Sequence, residues 1–528
     1  MDQIKKDKLN KAAIAFIASI DQARVCALAS SFHPKKWTCR IFGDVTKGSY
    51  NACFPIVFLD AEGNEAEKWI VRIPLLPRLA FPEEKMRSEI ATMKYISEKT
   101  KIPIPRIHGY SITNNNALRL PFLLLEYIDG KTLHSMGSMK DMPQEQRVYI
   151  YQQLSFLYLE LFQQQFDRIG ALTLDENDEH WTFGHNRPLT ITDNDQVVGG
   201  LDACQGPYQT FTSTIDYIYA IRKIIFNDFY FVRDSVFDED DARCYLYSLY
   251  ASQGILMEWV DPEYNHGPFI LMHGDLRPPN IILDDKLNVI SVLDWEWSHT
   301  IPAQLFVPPS WLTGEELISA SKDLGRILLM AHANQLEMEL TTKEFFGYNP
   351  NRRRHADLPL TKLWRRAMKH KNLFVAHALL KPCYFGNVYF NALDYEYYGE
   401  NLRERVESFF KLDCRQPARD AIRQKMREME DFGKELESLN LEREKPFEQS
   451  ALGSETLRKM REFRLERAAL REKAAQPKPK IASTSQQLSS QPAKLEDRKT
   501  VYRAVMQWSL ISLGVALVSC SILTRRRL

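Results

Sequence analysis

Apolar and polar residues follow two different periods along most of the chain. Apolar runs of strand length lie at 52–59, 68–73 and 121–128. From Pro82 onward, apolar residues also recur every three or four positions, as on one helix face, in segments that include 144–166, 214–229 and 245–259. This pattern predicts a β-rich lobe over 37–130 and a mainly helical lobe over 131–414. Within the second lobe, the polar segment 175–202 predicts a surface hairpin, and the proline-rich segment 298–311 predicts a loop.

Two interpretations fit the N-terminal residues 1–36. Lysines precede a nine-residue apolar run at 12–20, as in a secretory signal peptide. Against this interpretation, Asp2, Asp7 and Asp21 place acids along the segment, and Phe16 and Ile20 are among the apolar residues that fit one helix face. We therefore predict an N-terminal helical segment.

The composition changes after residue 414. Residues 415–475 alternate Arg, Lys and Glu with Ala, Met and Leu without a sustained heptad, which predicts a charged helical stalk rather than a coiled coil. Residues 476–503 are rich in Pro, Ser, Gln and Lys and predict a disordered linker. Residues 504–523 carry no charge and are long enough to cross a bilayer, so we predict a transmembrane helix there.

Such a helix would be a single C-terminal membrane anchor, with the two lobes facing the cytosol. Basic residues flank it at Arg503 and at 525–527, and its serines make it only moderately hydrophobic. A mitochondrial outer or peroxisomal membrane suits these features better than the secretory route, although basic residues usually mark the cytosolic side of a span. The alternative is a buried core helix, which would have nothing to pack against at the end of a disordered linker.

The overall composition is that of an ordinary folded protein. Hydrophobic residues make up 44% and aromatic residues 11% of the chain, enough to bury a core. The formal net charge of +1 gives no reason to expect a nucleic acid partner. The eight cysteines are scattered without a C-x-x-C pair, which argues against a metal cage or a disulfide framework.

Residues 271–297, LMHGDLRPPNIILDDKLNVISVLDWEW, concentrate polar groups between apolar runs. His273, Asp275, Asn280 and Asp294 lie at the ends of these runs, and 281–293 reads as a β-hairpin. Each polar residue alone is an ordinary turn residue. As an ordered set at the ends of buried strands, on backbone stiffened by two prolines, they are typical of a catalytic site.

This pattern, H-x-D-x-x-x-x-N followed fourteen residues later by D-W, resembles the catalytic core of kinase-like phosphotransferases. The short motifs H-G-D-L, N-I and L-D-W-E resemble, more specifically, the aminoglycoside phosphotransferase / choline kinase-like family. The resemblance implies an α+β, bilobal protein-kinase-like fold with a β-rich N-lobe and a mainly helical C-lobe. It also implies ATP and Mg²⁺ as cofactors and a small-molecule hydroxyl as the acceptor of the γ-phosphoryl group.

The resemblance implies a role for each polar group of the motif. Asp275 would orient the acceptor hydroxyl and take its proton, and Arg277 would steady the transferring phosphate unless it simply faces solvent. Asn280 and Asp294 would hold Mg²⁺, since hard oxygen ligands suit that ion. His273 would brace the loop rather than transfer protons.

Relatives in this family cover the nucleotide phosphates with a hairpin, and residues 37–51 occupy its position. Gly43 and Gly48 bracket a polar turn, where missing side chains let backbone N–H groups approach a phosphate. Ser49 and Asn51 would be the polar groups near the triphosphate. The denser G-x-G-x-x-G motif is absent from the sequence, so a plain β-hairpin is the alternative.

Arg72 occupies the position where kinase-like folds usually place a phosphate-gripping lysine. Arginine keeps the positive charge but offers a different donor geometry. Glu89 would be its ion-pair partner, or else one solvated acid among several. After the strand at 121–128, backbone groups from Glu126 to Ile128 would read the adenine edge as the hinge between the lobes.

A second hypothesis is a catalytically silent, kinase-like binding protein tethered to a membrane. The arginine at position 72 and the sparse glycine loop favour it. The intact set of Asp275, Asn280 and Asp294 favours the enzyme. Binding of Mg-ATP and its turnover distinguish the two hypotheses.

Overall fold

The computed structural model describes residues 1–313, 359–367 and 372–443. The predicted linker, the predicted transmembrane helix at 504–523 and the stalk beyond residue 443 lie outside these residues. Within the described part of the chain, no single helix has both the length and the apolarity needed to cross a membrane. One pair of helices, Gln3–Ala18 and Gln22–Phe32, meets both criteria together but is bent by 65° where the two meet.

The first lobe is built on a six-stranded antiparallel sheet. Its spatial order is β1-β3-β4-β6-β5, with β2 beside β3. In chain order the strands are β1 (Cys39–Ile41), β2 (Thr46–Lys47), β3 (Asn51–Leu59), β4 (Glu65–Pro74), β5 (Ile107–Ser111) and β6 (Phe122–Glu126). Strands β3, β4 and β6 form its centre, as their apolar sequences predict.

Helices cover both faces of this sheet. Side chains alternate along a strand, so neighbouring residues of β6 point to opposite faces. Phe122 and Leu124 join the core formed with α1 (Gln3–Ala18) and α2 (Gln22–Phe32). Leu123 and Leu125 join the larger core that contains Met86 and Ile90 of α3 (Pro82–Lys99). The N-terminal segment is therefore helical, as predicted, and it packs as part of the first lobe.

The second lobe combines long helices with three small sheets. Its first helices are α4 (Gln144–Phe162), α5 (Ile191–Val198), α6 (Thr214–Phe231) and α7 (Glu239–Trp259). Its strands are β7 (Lys131–Thr132), β8 (Gln165–Phe166), β9 (Leu172–Leu174), β10 (Trp181–Phe183), β11 (Phe269–Met272), β12 (Ile281–Leu283), β13 (Val289–Val292) and β14 (His299–Pro302). They pair in the orders β14-β11-β8, β13-β12-β7 and β10-β9. The predicted hairpin at 281–293 is the β12–β13 pair.

Two segments differ from their predicted structure. The segment 298–311 was expected to be a loop, but its first residues form β14, which pairs with β11 from Met272 opposite His299 to Phe269 opposite Pro302. Pro302 is tolerated because β14 is an edge strand, where a missing N–H costs no ladder bond. The predicted hairpin at 175–202 is limited to the β9–β10 pair, and the rest includes α5, whose first turn is capped by the Thr190 hydroxyl.

The remaining described helices complete the second lobe. They are α8 (Pro359–Ala367), α9 (Asn372–Leu380), α10 (Phe385–Val388), α11 (Asp394–Tyr398), α12 (Leu402–Lys411) and α13 (Gln416–Ser438), with a π-helical turn at Tyr389–Leu393. Short 3₁₀ turns lie at Leu76–Arg78, Leu133–Met136, Met139–Asp141, Pro262–Tyr264, Pro278–Asn280, Ala303–Leu305, Ser310–Thr313, Pro382–Tyr384 and Asp413–Arg415.

Helix α13 begins the predicted stalk, and it packs against the folded body. Ala418 and Ile422 join the core of the second lobe, and Phe432 and Leu436 pack with Ile4 of α1. The buried ammonium of Lys425 donates to the carbonyl of Val232 at 2.9 Å. Over these residues the charged face of the helix is solvated, and its apolar face is core. The boundary near residue 414 stays a prediction.

Candidate active site

The catalytic loop follows β11 and is braced by a buried histidine. His273 is 1% exposed, and its Nε2–H donates to the carbonyl of Leu293 at 2.8 Å. Its Nδ1 accepts the backbone N–H of Asp275 at 3.1 Å. Burial lowers the pKa of His273, which keeps the imidazole neutral. One ring therefore fixes the loop on one side and the end of the β12–β13 hairpin on the other.

Gly274 is required by close packing. A Cβ at this position would overlap the backbone carbonyl of Trp297. The turn between β11 and the loop therefore brings the segment that follows Asp294 against the segment that holds Asp275. This close packing is the physical reason for the glycine in the H-G-D motif.

Asp275 is half-buried, and its carboxylate faces Arg277. The Nε of Arg277 donates to Oδ2 of Asp275 at 2.8 Å, while the arginine itself is exposed. Burial raises the pKa of Asp275, and the charge of Arg277 opposes part of that rise. A partly buried carboxylate with a raised pKa suits proton abstraction better than an ordinary surface aspartate.

Asn280 and Asp294 are positioned through the same backbone. The Nδ2 of Asn280 donates to the carbonyl of Asp275 at 2.8 Å, which leaves the Oδ1 of Asn280 as an acceptor. The backbone N–H of Leu293 donates to the carbonyl of Asn280 at 2.8 Å. Asp294 follows directly with a φ of 72°, a left-handed conformation that Asp tolerates better than most residues. Leu293 thus links His273, Asn280 and Asp294.

These two oxygen donors fit a magnesium ion shared with a nucleotide. Mg²⁺ is usually held by one or two protein carboxyl or amide groups together with substrate phosphates and water. Among the described residues, no three His, Cys, Asp or Glu side chains converge as a complete metal site. Asn280 and Asp294 are the residues that would hold such an ion.

A buried ion-pair cluster joins the first lobe to Asp294. Arg72 of β4 donates from Nη1 to Oε1 of Glu89 on α3 at 2.6 Å, the pair that the resemblance implied. Its Nη2 contacts Oδ1 of Asp294 and lies 3.3 Å from Oε2 of Glu296. Burial opposes the charge of Arg72, but the three carboxylates outweigh it and raise the pKa of Arg72 well above its usual value.

Lys85 is a second cation in this cluster, and only 1% of it is exposed. Its Nζ lies 3.1 Å from Oε2 of Glu89 and 3.1 Å from Oδ1 of Asn51, and it contacts Oε2 of Glu296. Burial opposes this charge too, but Glu296 and Glu89 hold the pKa of Lys85 above its usual value. Lys85 thus binds both carboxylates from the interior side of the cluster.

Asn51 lies within the cluster. Besides accepting from Lys85, it donates from Nδ2 to Oε2 of Glu296 at 2.7 Å, and 5% of the residue is exposed. This differs from the direct phosphate contact predicted from the sequence, because both polar atoms of the amide already have partners. Contact between Asn51 and a phosphate stays a prediction.

The hairpin glycines lie at the exposed tip of the first sheet. Gly43 has a φ of 70°, which favours glycine, and the N–H of Gly48 donates to the carbonyl of Asn51 at 2.8 Å. Ser49 is exposed in the same turn. The ring of Tyr50, next along the chain, packs edge-on against Trp297 at 4.9 Å between centroids. This contact holds the hairpin tip over the segment that follows Asp294.

The hinge between the lobes, residues 126–128, has backbone groups without hydrogen-bond partners among the described residues. Glu126 accepts the N–H of Arg106 with its side chain at 3.2 Å, and the N–H of Tyr127 donates to the carbonyl of Lys68 at 3.1 Å. Within the described residues, the backbone of Ile128 makes no hydrogen bond. Phe42 of the hairpin packs edge-on against Tyr127, with 5.1 Å between centroids, which brings hairpin and hinge together.

Sequence reasoning missed Lys85 and gave Glu296 no role. Lys85 stands four residues before Glu89 on a helix, a spacing that places both side chains on one face. That signal was available, but the start of α3 contains several charged residues and the spacing alone does not separate a buried pair from a solvated one. In the sequence, Glu296 was noted only as the last residue of the D-W-E motif.

Comparison with known proteins gives a family match over both lobes. The model of the Phosphotransferase enzyme family matches residues 54–180 and 229–304. The chain is similar to "Altered inheritance of mitochondria protein 9, mitochondrial" of Zygosaccharomyces rouxii, at 32% identity over 116 residues that cover 21% of this chain and 19% of that protein. The protein of the same name in Clavispora lusitaniae is 38% identical over 65 residues, which are 12% of this chain and 11% of the relative. The similarity thus spans less than a fifth of either relative's length.

Two solved structures are similar to this chain at low identity and low TM-score. The GDP complex of wild-type aminoglycoside 2'-phosphotransferase-IIIa is 14% identical with a TM-score of 0.32, over 66% of this chain and 93% of that one. The Plasmodium vivax ethanolamine kinase is 13% identical with a TM-score of 0.32, over 73% of this chain and 84% of that one. The assignment therefore depends on the family match and on the geometry of the site.

The matched segments contain most of the sheet of the first lobe, the Arg72–Glu89 pair and the whole loop from His273 to Asp294. They confirm the resemblance on which the sequence prediction was based. Over residues 54–180 and 229–304 the chain is similar to the phosphotransferase enzyme family, and its two lobes have a kinase-like α+β fold.

Proposed function

We propose that the protein is an ATP-dependent phosphotransferase that moves the γ-phosphoryl group of Mg-ATP to a hydroxyl of a small molecule. The observation that carries this proposal is the arrangement of the loop around Leu293. Its backbone links His273, Asn280 and Asp294, and His273 in turn holds Asp275. A base and two metal ligands are thereby fixed by one rigid hydrogen-bonded unit, as a preorganised site requires.

In this proposal each residue acts on a defined group. Asp275 accepts the proton of the acceptor hydroxyl as that oxygen attacks the γ-phosphorus, and the bond from the γ-phosphorus to the bridging oxygen of ADP breaks. Asn280 and Asp294 would hold Mg²⁺, which would neutralise charge on the phosphates. Arg277, next to Asp275 and exposed, is placed to contact the transferring group.

The nucleotide lies between the lobes in this proposal. The backbone N–H and C=O of Ile128, which have no hydrogen-bond partner among the described residues, suit the edge of an adenine ring beside the carbonyl of Glu126. The hairpin with Gly43, Gly48 and Ser49 covers the phosphates. Arg72, oriented by Glu89, neutralises them, since a guanidinium has a fork of donors that matches phosphate oxygens.

Two substitutions separate the proposed roles of base and metal ligand. Asp294→Asn should weaken Mg-ATP binding by at least about tenfold, because it removes a charged metal ligand. Asp275→Asn should leave Mg-ATP affinity within about threefold of wild type, because Asp275 contacts the acceptor rather than the nucleotide. Affinities are measured by calorimetric titration of the full chain with ATP in the presence of magnesium. Unchanged affinity in the Asp294 variant, or lost affinity in the Asp275 variant, would contradict the assignment.

A catalytically silent binding protein is the second candidate, and one observation favours it. Arg72 contacts Asp294, so the expected phosphate-binding and metal-binding groups are paired with each other. If this ion pair persists when nucleotide binds, Mg²⁺ cannot use Asp294 fully. Mg-ATP binding without turnover, over a panel of amino-alcohols, sugars and aminoglycosides, would support this candidate.

We also propose that the chain is held at a mitochondrial membrane by residues 504–523. The charge-free composition and length of that segment support an anchor. The two yeast relatives are named as mitochondrial proteins, which supports that organelle over the peroxisome.

A further inference from the structure

Lys85 has no donor left for a ligand. An ammonium group has three N–H donors. The structure gives Lys85 three partners, Oδ1 of Asn51, Oε2 of Glu89 and Oε2 of Glu296. With 1% of the residue exposed, its charge is fixed in the interior of the first lobe. Lys85 therefore acts on the site only through the carboxylates that it binds.

Arg72 is bound differently from Lys85. Its two terminal nitrogens contact Glu89, Asp294 and Glu296, and 23% of the Asp294 side chain is exposed. The proposed function needs Arg72 on the nucleotide phosphates and Asp294 on the metal. Both requirements are met only if Arg72 loosens its contacts with the carboxylates when Mg-ATP binds.

The movement of Arg72 changes the net charge of the cluster. Three carboxylates and two cations leave one net negative charge. When Arg72 turns to the phosphates, the remaining groups carry two negative charges with Lys85 in place, and three without it. Buried like charges without partners are strongly unfavourable. Each uncompensated carboxylate therefore favours the state in which Arg72 stays paired with the carboxylates.

We propose that Lys85 is a positioning residue that sets the affinity of the site for Mg-nucleotide. By neutralising Glu89 and Glu296, Lys85 lets Arg72 exchange Glu296 and Asp294 for phosphate oxygens while Glu89 still orients it. Asp294 is thereby released to the metal. This inference depends on the proposed function, because it assigns Arg72 to the phosphates and Asp294 to Mg²⁺.

The test compares Lys85→Met with a control on the same helix. Lys85→Met keeps an unbranched side chain that is one atom shorter and removes its charge. We expect Mg-ATP affinity to fall by about tenfold, which corresponds to about 1.4 kcal/mol. Lys99→Met removes an exposed lysine near the end of α3, where 44% of the side chain is accessible, and should leave the affinity unchanged. Affinity is measured by titration well below the melting temperature of each variant, so that only folded protein contributes.

A double variant separates this role from a purely structural one. In Lys85→Met with Glu296→Gln, the cluster again carries two negative charges once Arg72 has turned to the phosphates, as in wild type. We expect the double variant to recover Mg-ATP affinity to within about threefold of wild type, a coupling that appears only when the two residues interact. A merely structural lysine would lower the melting temperature and show no such recovery.

The outcomes distinguish this inference from the proposed function. If wild-type protein does not bind Mg-ATP, the proposed function fails. If wild type binds and Lys85→Met binds equally well, the role of Lys85 is refuted while the proposed function stands. If Lys85→Met weakens binding and the double variant is weaker still, the charge argument is refuted and Lys85 is only a packing element.

Discussion

At the scale of single residues, the ionisation of Asp275 decides whether the loop can act as a base. Burial raises the pKa of this carboxyl, and Arg277 opposes part of the rise. A raised pKa means that the ionised form is disfavoured in the folded protein. Ionised Asp275 thus costs stability at pH values above its unfolded pKa, and substitution by Asn should not lower the melting temperature near neutral pH.

The pH dependence of turnover should follow from this environment. Transfer requires ionised Asp275, so the rate should fall on the acid side through a pKa above the ordinary value of 3.8. Arg277→Gln removes the charge that lowers this pKa, so its acid limb should lie at higher pH than that of wild type. Initial rates measured from about pH 4 to about pH 8 give the acid limb of wild type and that of the variant. An acid limb that does not move in the Arg277 variant would contradict the assignment of Asp275.

At the scale of secondary structure elements, local patterns were sufficient for the long elements of both lobes. The apolar runs of β4 and β6 and the periodic face of α3 appear close to where the sequence predicts them. Strand β14 was not predicted, because prolines indicate a loop and only its pairing with β11 makes it a strand. The apolar stripe of α13 likewise reads as a stalk until Ile4 and the second lobe are seen to cover it.

The candidate site was predicted where its chemistry is local in sequence and missed where it is not. The loop from His273 to Asp294 carries its own spacing, and resemblance supplied the Arg72–Glu89 pair. Lys85 and Asn51 both contact Glu296, which lies 211 positions after Lys85 and 245 positions after Asn51. No local pattern specifies such contacts, because they arise only when α3, β3 and the segment after β13 pack together.

At the scale of the whole molecule, the kinase-like fold is combined with a C-terminal segment of membrane-spanning composition. We expect the full chain to stay with the membrane pellet after alkaline carbonate extraction, and a chain that ends at residue 503 to be released. The shortened chain should bind Mg-ATP as well as the full chain, since the proposed nucleotide site lies wholly before residue 300. Retention of the shortened chain in the pellet would show that another part of the protein holds the membrane.

The most direct measurement is transfer of labelled phosphate from γ-labelled ATP to a panel of small hydroxyl compounds, with the full chain in the presence of magnesium. The proposed mechanism predicts a labelled product with wild-type protein and a rate lower by about 10²–10⁴-fold with Asp275→Asn, the range expected for loss of a general base. Retained Mg-ATP affinity serves as the control that the variant is folded. Equal rates of transfer in wild type and Asp275→Asn would contradict the central claim that this aspartate is the base of a phosphotransferase.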